Sequence, residues 1–417
     1  MKYWWILFVL SAASIRTLAQ PTFGLVAFYS FDDDADSILV DKTGNFSNNG
    51  FSNALIRDCG VVGDAIRFNG NDQFARFGSS PVKNIFGTED FSISFYFKAF
   101  NSNVVNTQTI LSKRDNCSID NAFAVRFSPL TKNINLLVSE DASLSTILSA
   151  PVDDKKCWHH VAVVRKGTII TLFVDGLSVQ QDFKNTRIDI SSDNLPLLVG
   201  PSSCLATDGP FEGFLDELLL YDRALTDDEV ASIYLRPDQI GNGFIELGFP
   251  KDTILFLGNS FSTFITGTCA DEAVWSPFTG VSDPTSAVTT ITPEVTTTYT
   301  LQLTDNFNCT ATDQILVTVI DPADLECKAF LPNAFTPDGD GRNDEFGIDN
   351  PYVMTDFISL EVFDRWGNRM FFSDDPFLRW DGSFRGALIN PGVLLFKVRY
   401  RCGGEEKIQS GSLTVLR

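Results

Sequence analysis

The chain has 417 residues and carries 53 acidic against 32 basic side chains, a formal net charge of −21. This length predicts about two to four domains. A surface this acidic repels nucleic acid and anionic membranes, so the composition excludes nucleic-acid binding, and its many carboxylates suit calcium.

The N-terminal segment has the layout of a secretory signal peptide. Lys2 is a short basic region, residues 4–13 are an apolar stretch, and residues 17–19 are a small-residue cleavage site. The apolar stretch is too short for a membrane span, and we expect no other transmembrane segment. We therefore predict that residues 1–19 are removed on export and that the eight cysteines form disulfides in an oxidising compartment.

Residues 22–236 contain short apolar runs separated by turns, which is typical of a two-sheet β-sandwich. At the centre of this region, residues 158–176 hold two apolar runs that flank a turn with Gly167, which predicts a β-hairpin. Residues 91–97 alternate large apolar with mostly small polar side chains, as a strand with one aromatic face does. Residues 226–229 form a capping box that predicts the start of a helix.

This region resembles the laminin-G-like, concanavalin-A-like jelly roll. The segments that carry the resemblance are 29–31 through 49–50, 91–97, 110–113, 158–176, and 211–217 leading to 223–226. The resemblance implies two curved antiparallel sheets with sugar or protein binding at loops or on a concave face. Members often carry one calcium ion, and Asp41 and Asp216 stand where the family tends to place acidic ligands. The alternative is that Asp41 makes a turn and Asp216 caps a strand.

From residue 243 to residue 321 the chain becomes richer in Thr and Ser and poorer in charge. Trp275, followed by Ser and Pro, and the segments 296–301 and 309–313 resemble the immunoglobulin-like or PKD-like modules of bacterial surface proteins. We interpret the region as a β-sandwich spacer, with a second ligand-binding module as the alternative.

Residues 327–417 resemble the gliding-motility-associated C-terminal domain, the type B sorting signal of type IX secretion. The landmarks are the segments 331–346, 360–367, 380–382, 391–400 and 412–417. The resemblance implies export by the signal peptide across the inner membrane, followed by passage through the type IX outer-membrane secretion machinery. The expected location is the bacterial cell surface or the medium.

Three carboxylates in this last region alternate with glycines. Asp338, Asp340 and Asp344 follow an Asp-x-Asp-x-x-x-Asp spacing that can point oxygens at one hard cation such as calcium. The glutamate of an EF-hand is missing, because Asp349 stands at its position. The alternative is an Asx-turn loop that its own backbone holds.

The domain boundaries restrict the pairing of the cysteines. Cys269 and Cys309 both lie in the spacer, and Cys327 and Cys402 bracket the C-terminal domain, so we predict both pairs. In the first domain we predict Cys117 with Cys204 and Cys59 with Cys157.

The sequence contains no catalytic constellation that we can identify. A retaining glycosidase on this fold usually shows Glu-x-Asp-x-x-Glu on one strand, and the segment 212–217 has the wrong spacing. His159 and His160 are adjacent on a predicted buried strand, so we interpret both as packed core histidines.

We therefore expect an all-β protein that is not an enzyme: a laminin-G-like jelly-roll sandwich, an Ig/PKD-like β-sandwich and a small C-terminal β-sandwich. The expected function is binding or adhesion outside the cell, with a glycan or an extracellular protein as ligand. The alternatives are a polysaccharide-degrading enzyme and a purely structural component of adhesion or gliding.

Overall fold

The computed structural model describes most of the chain after the N-terminal segment. The described residues are 21–32, 37–87, 90–100, 106–115, 117–191, 195–201, 204, 207–241, 245–247, 252–267, 269–338, 342–354 and 356–416. The predicted signal peptide, residues 1–19, lies outside them.

The protein is all-β, as predicted. The jelly-roll region has the strands β1 Leu25–Tyr29, β2 Ile38–Leu39, β3 Gly50–Ser52, β4 Arg57–Cys59, β5 Asp64–Asn69, β6 Ala75–Phe77, β7 Phe91–Ala99, β8 Thr107–Lys113, β9 Ala122–Ser128, β10 Asn133–Ser139, β11 Ser145–Pro151, β12 His159–Lys166, β13 Ile169–Val174, β14 Leu177–Phe183, β15 Leu197–Val199, β16 Asp208–Pro210 and β17 Glu212–Tyr221. Its helices are α1 Ser80–Asn84 and α2 Asp227–Ile233, with 3₁₀ turns at Phe46–Asn48 and Ile85–Gly87.

Two sheets form this region. One has eight strands in the order β14-β13-β12-β7-β17-β5-β4, with β1 also paired to β17. The other has nine strands in the order β11-β10-β9-β8-β15-β6-β3-β2, with β16 also paired to β8. One large apolar core draws side chains from both sheets, including Phe95 of β7 and Val125 of β9. The two sheets therefore pack face to face, as expected for a jelly roll.

The predicted central hairpin is present as β12 and β13. Its register pairs Val161 with Val174 and Lys166 with Ile169, and Gly167 in the turn has a φ of 59°, which glycine adopts without steric cost. The predicted capping box is also present, because the Thr226 hydroxyl accepts from the backbone N–H of Glu229 and the Glu229 side chain accepts from that of Thr226.

The chain divides into two compact units. The first comprises Met1–Lys251, Ser262–Ile291 and Tyr299–Ile315, and the second comprises Asp252–Phe261, Thr292–Thr298 and Leu316–Arg417. The strands of the predicted spacer are β18 Glu246–Leu247, β19 Asp252–Phe256, β20 Phe261–Thr263, β21 Ile265–Thr266, β22 Glu272–Ser276, β23 Thr289–Ile291, β24 Thr297–Thr304 and β25 Thr310–Ile320. The division cuts through β20, β24 and β25. The domain boundaries at 22–236, 243–321 and 327–417 stay predictions.

Within the second unit, β19 pairs in parallel with residues 316–320 of β25. The C-terminal strands are β26 Ala334–Phe335, β27 Asp356–Phe363, β28 Arg369–Ser373, β29 Ser383–Phe384, β30 Ala387–Leu388, β31 Gly392–Cys402 and β32 Glu405–Val415. Five of them form one sheet in the order β26-β32-β31-β27-β28, and β29 pairs with β30. Trp380, Phe346 and Phe396 lie in the core of this unit.

The part of the chain that the structure describes contains no helix long and apolar enough to span a membrane.

Candidate functional site

The outer face of the eight-stranded sheet is covered in part by α2. Val230 and Ile233 of this helix belong to one buried cluster with Val164 and Phe173 of the sheet. The hydroxyl of Tyr96, on β7, donates to the carbonyl oxygen of Ile233 at 2.9 Å. These contacts leave this part of the face inaccessible to a ligand.

An aromatic cluster covers another part of the same face. The ring centroid of Phe214, on β17, lies 5.2 Å from that of Phe100 and 5.1 Å from that of Phe307, which comes from the segment between β24 and β25. Next to it, the Nζ of Lys98 lies 2.7 Å from the Oδ2 of Asp305 and 4.6 Å from the Phe307 centroid. Burial lowers the pKa of Lys98, and the hydrogen bond with Asp305 opposes that shift. All five residues belong to the first unit.

Two disulfides hold the same region together, and they correct two predicted pairings. Cys59 pairs with Cys269 and Cys157 pairs with Cys309, with Cα–Cα distances of 5.8 and 5.5 Å. The predictions Cys269–Cys309 and Cys59–Cys157 are therefore wrong. They assumed that bridges stay within a domain, whereas residues 262–291 and 299–315 fold into one compact unit with the jelly roll.

The other two disulfides form as predicted. Cys117 pairs with Cys204, and Cys327 pairs with Cys402, with Cα–Cα distances of 4.6 and 6.1 Å. The first joins the segment after β8 to the segment before β16, both at the nine-stranded sheet.

Both histidines are packed inside the protein, as the sequence predicts. His159 is 5% exposed and His160 is fully buried. The Nε2 of His160 lies 2.7 Å from the Ser94 hydroxyl, and its ring packs against that of Tyr96 at 4.9 Å. Burial lowers the pKa of His160 to about 4, so its imidazole is neutral at neutral pH.

The nine-stranded sheet exposes both ends of its outer face. Paired positions across the strands place one row of side chains there: Ile38, Phe51, Arg76, Leu198, Ser112, Ala124, Leu137 and Ile147. We call this set the long row. Ile147 at one end is 67% exposed and Ile38 at the other is 48% exposed, whereas Ser112 and Ala124 at the centre are buried.

A second row beside the long row is polar throughout. Thr109 of β8 pairs with Arg126 of β9, Arg126 pairs with Asn135 of β10, and Asn135 pairs with Ser149 of β11. The strand neighbours Val125, Phe127, Ile134, Leu136, Leu148 and Ala150 lie in the core, so Arg126, Asn135 and Ser149 point outward, and Thr109 shares their face because it pairs with Arg126. We call Thr109, Arg126, Asn135 and Ser149 the polar row.

Hydroxyl and amide groups extend the polar row along β9. The Nδ2 of Asn135 donates to the Ser128 hydroxyl at 3.0 Å, and the Thr107 and Ser128 hydroxyl oxygens are 3.0 Å apart. The hydrogen bond between them holds Asn135 and Ser128 in place, and Asn135, Ser128 and Ser149 are half-buried and still reach solvent. Such groups can exchange hydrogen bonds with a polyhydroxylated ligand.

Two guanidinium groups share one carboxylate beside the polar row. The Oδ2 of Asp208 lies 3.1 Å from an Nη2 of Arg114, and its Oδ1 lies 3.3 Å from an Nη1 of Arg126. The side chains of Arg114 and Asp208 are 5% and 2% exposed, whereas that of Arg126 is 21% exposed. Burial and the neighbouring Arg126 lower the pKa of Arg114, and Asp208 raises it. Arg126 is thus the member of this cluster that a ligand can reach.

The predicted calcium ligand Asp41 is buried, and its carboxylate accepts four hydrogen bonds from the protein. Its Oδ1 accepts from the backbone N–H groups of Phe28 and Thr43, each at 3.0 Å. Its Oδ2 accepts from the Thr43 hydroxyl at 2.7 Å and from the Nδ2 of Asn48 at 3.0 Å. These contacts match the alternative in which Asp41 stabilises a turn.

The second predicted ligand, Asp216, is bound by other groups. Its Oδ2 accepts from the backbone N–H of Val61 at 2.7 Å and of Val62 at 3.2 Å, and its Oδ1 accepts from that of Glu217 at 2.8 Å. Burial and the adjacent Glu217 raise the pKa of Asp216 well above its ordinary value. The described hydrogen bonds of Asp41 and Asp216 have no partner in common.

Of the predicted loop ligands, Asp340 lies outside the described residues. Asp344 accepts from the backbone N–H of Asp338 at 3.2 Å. In the described part of the chain, no three His, Cys, Asp or Glu side chains group together so that they could hold a metal ion. Calcium binding stays a prediction.

Comparison with known proteins matches both ends of the chain to protein families. Residues 69–231 match the concanavalin A-like lectin/glucanases superfamily, and residues 329–415 match the CHU_C type IX secretion signal domain. The chain therefore carries a concanavalin A-like domain and a type IX secretion signal domain. The latter indicates export to the cell surface or the medium.

Among curated relatives, the non-toxic nonhemagglutinin type A of Clostridium botulinum is 22% identical over 222 residues, which cover 53% of this chain and 17% of that protein. The type E protein of that species is 22% identical over 226 residues, which cover 53% of this chain and 18% of that protein. The chain thus matches a small part of the length of these relatives.

Similar solved structures include domain 4 of the arabinanase AbnA from Geobacillus stearothermophilus in complex with arabinotriose, with 20% identity, a TM-score of 0.38, and coverage of 50% of this chain and 98% of that chain. Another is the CBM40 of the Ruminococcus gnavus IT-sialidase bound to α2,3 sialyllactose, with 18% identity, a TM-score of 0.35, and coverage of 41% of this chain and 95% of that chain.

Proposed function

We propose that this chain, an exported protein with a concanavalin A-like domain and a type IX secretion signal domain, binds saccharides outside the cell without cleaving them. The observation that carries the proposal is the polar row on the outer face of the nine-stranded sheet, where Arg126, Asn135 and Ser149 stand side by side on neighbouring strands. Lectins belong to the superfamily that residues 69–231 match.

The spacing of the polar row suits a chain of sugar rings. Neighbouring strands lie about 4.8 Å apart, so three strands present polar groups over about 10 Å. Hydroxyl and amide groups held by their own hydrogen bonds lose little conformational freedom when a ligand binds, which favours affinity. The Asn135–Ser128 contact provides such a preorganised pair.

The carboxylate beside the polar row supports binding rather than hydrolysis. Glycoside hydrolysis uses two carboxyl groups about 5–10 Å apart, one of which donates or accepts a proton. Asp208 is buried and each of its oxygens lies near a guanidinium group, so the carboxylate is already occupied by two cationic side chains. We infer that it organises the arginines rather than serving as an acid or a base.

The test is a saccharide array probed with the full chain, followed by titration of the best-bound saccharide. We expect Asn135→Ala to weaken that saccharide by about 3- to 10-fold, the worth of one net hydrogen bond. Gln181→Ala is the matched control, because Gln181 is an exposed amide side chain on β14 of the other sheet. The control should bind like the unmodified protein.

Two results would contradict the proposal. One is that, for a saccharide that the chain binds, Asn135→Ala and Gln181→Ala lose the same affinity or neither variant loses any. The other is release of reducing sugar from the bound saccharide by the purified chain, which would identify an enzyme.

A further inference from the structure

We infer that the polar row selects saccharides that carry a carboxylate, and that Arg126 is the residue that makes this selection. The inference rests on the proposed function, because it names the class of saccharide that the same row would bind. Three features of the described residues carry it: the charge of the cluster, the exposure of Arg126 and the position of Arg126 in the row.

The Arg114–Arg126–Asp208 cluster contains two cationic side chains and one anionic side chain, which favours the binding of a second anion. Two guanidinium groups, from Arg114 and Arg126, are permanently charged, and both contact the single carboxylate of Asp208. Asp208 raises the pKa of Arg114, and Arg126 lowers it. Repulsion between two buried or half-buried cations is costly, so an incoming carboxylate would lower the energy of the cluster.

The hydrogen bonds of Arg126 are incomplete. Its Nη1 contacts Asp208 at 3.3 and 3.5 Å, which is long for an ionic hydrogen bond, and its Nε is buried with no hydrogen-bond partner. A guanidinium has five N–H donors, and since the Nε is out of reach of solvent, the donors for another acceptor are those of the Nη atoms, in a side chain that is 21% exposed. The buried Arg114 cannot take that role, because its side chain is only 5% exposed.

The position of Arg126 in the polar row allows it to bind a carboxylate that belongs to a saccharide. Arg126 lies between Thr109 and Asn135 in the polar row, with the Ser128 hydroxyl two residues along β9. A carboxylate on a sugar ring can pair with the guanidinium while the ring hydroxyls exchange hydrogen bonds with Asn135 and Ser128. A planar carboxylate also matches the fork of a guanidinium better than a point contact does.

This selection is opposite to the overall charge of the protein. The chain carries a formal charge of −21, so long-range electrostatics disfavour an anionic ligand. A preference for an acidic saccharide must therefore come from a local contact. Arg126 provides that contact at the surface of the nine-stranded sheet.

The experiment is a titration of the full chain with a matched pair of saccharides, trigalacturonate and its methyl ester. The two differ in charge and share ring stereochemistry. We expect the acid to bind about 10- to 100-fold more tightly than the ester, the worth of one charge-assisted hydrogen bond, and we expect 0.5 M NaCl to reduce this ratio. If the array identifies another acidic saccharide, that saccharide and its ester replace the pair.

Arg126→Gln should abolish the preference, so that acid and ester bind within about twofold of each other, while Arg126→Lys should keep part of it. Arg76→Gln is the matched control, because it also removes one exposed positive charge from the outer face of this sheet but lies outside the polar row. The control should retain the full preference.

Several results would overturn the inference. Equal binding of acid and ester by the unmodified chain overturns the inference and leaves the proposed function intact, and this comparison does not depend on a variant that folds. A preference that survives Arg126→Gln, or stronger binding of sulfated than of carboxylated saccharides on the array, also overturns the inference. If no saccharide binds, the proposed function fails as well.

Discussion

The two sheets of the first unit share one core, but their outer faces differ in how far other parts of the chain cover them. The eight-stranded sheet carries α2 and the Phe100–Phe214–Phe307 cluster, which bury part of its outer face, whereas its edge strand β14 is exposed. The nine-stranded sheet carries exposed apolar ends and a polar row of which Arg126, Asn135 and Ser149 are half-buried. Packing against the outer face of the first sheet stabilises the unit, whereas the outer face of the second sheet leaves polar side chains in reach of solvent.

Among the variants considered, truncation of the aromatic cluster on the outer face of the eight-stranded sheet, which we call the covered face, should lower stability most. Phe214→Ala removes a fully buried ring that contacts Phe100 and Phe307, so we expect the free energy of unfolding to fall by about 3–5 kcal/mol. Chemical denaturation followed by tryptophan fluorescence measures it. Ile147→Ala is the control on the other sheet, where the side chain is 67% exposed, and it should change stability by less than about 0.5 kcal/mol.

The sequence allowed part of this contrast to be predicted. The hairpin β12–β13, the strand β7 and the capping box of α2 all follow from local patterns, and the structure contains each of them. The alternation of Arg126 and Ser128 with core residues is visible in the sequence as well. The sequence did not reveal that these residues form a row with Asn135 and Ser149, because register between strands depends on tertiary structure.

The covering of the eight-stranded sheet could not be predicted for the same reason. Cys309 is 152 residues from Cys157, and Phe307 is more than 90 residues from Phe214, so no local pattern signals these contacts. Pairing cysteines within predicted domains failed because a domain boundary in the sequence is not a boundary between cores. The prediction of Asp41 and Asp216 as calcium ligands rests on resemblance to a family, and in the structure both carboxylates accept hydrogen bonds from backbone N–H groups.

A smaller change in stability should come from the titration of His160, which is buried beneath the covered face. The folded histidine has a pKa of about 4 because burial disfavours its charged form, whereas an unfolded histidine titrates near about 6.5. Between these values the unfolded state binds the additional proton. The free energy of unfolding should therefore fall as the pH decreases from about 6.5 towards about 4, by at most about 1.4 kcal/mol per pH unit.

Denaturation at several pH values between about 7 and 5 measures this slope. His160→Gln should be less stable at neutral pH, because the Ser94 contact is altered, and should show a flatter dependence on pH. An unchanged slope in the variant would show that other groups cause the pH dependence.

The helix on the covered face gives the smallest effect. Thr226→Ala removes the hydroxyl that accepts from the Glu229 backbone N–H at 3.2 Å, so we expect a loss of about 1 kcal/mol in the free energy of unfolding. Thr226→Ser keeps the cap and should remain close to the unmodified protein. Saccharide affinity should be the same in both variants, since α2 lies on the sheet opposite the polar row; a loss of affinity in Thr226→Ala alone would link the covered face to binding.

The most direct test of the difference between the two faces is hydrogen exchange of the full chain with and without the best-bound saccharide. We predict slower exchange in peptides from Ala122–Ser128 and Asn133–Ser139, and unchanged exchange in His159–Lys166 and Glu212–Tyr221. Slower exchange confined to the eight-stranded sheet, or to the second unit, would contradict the account.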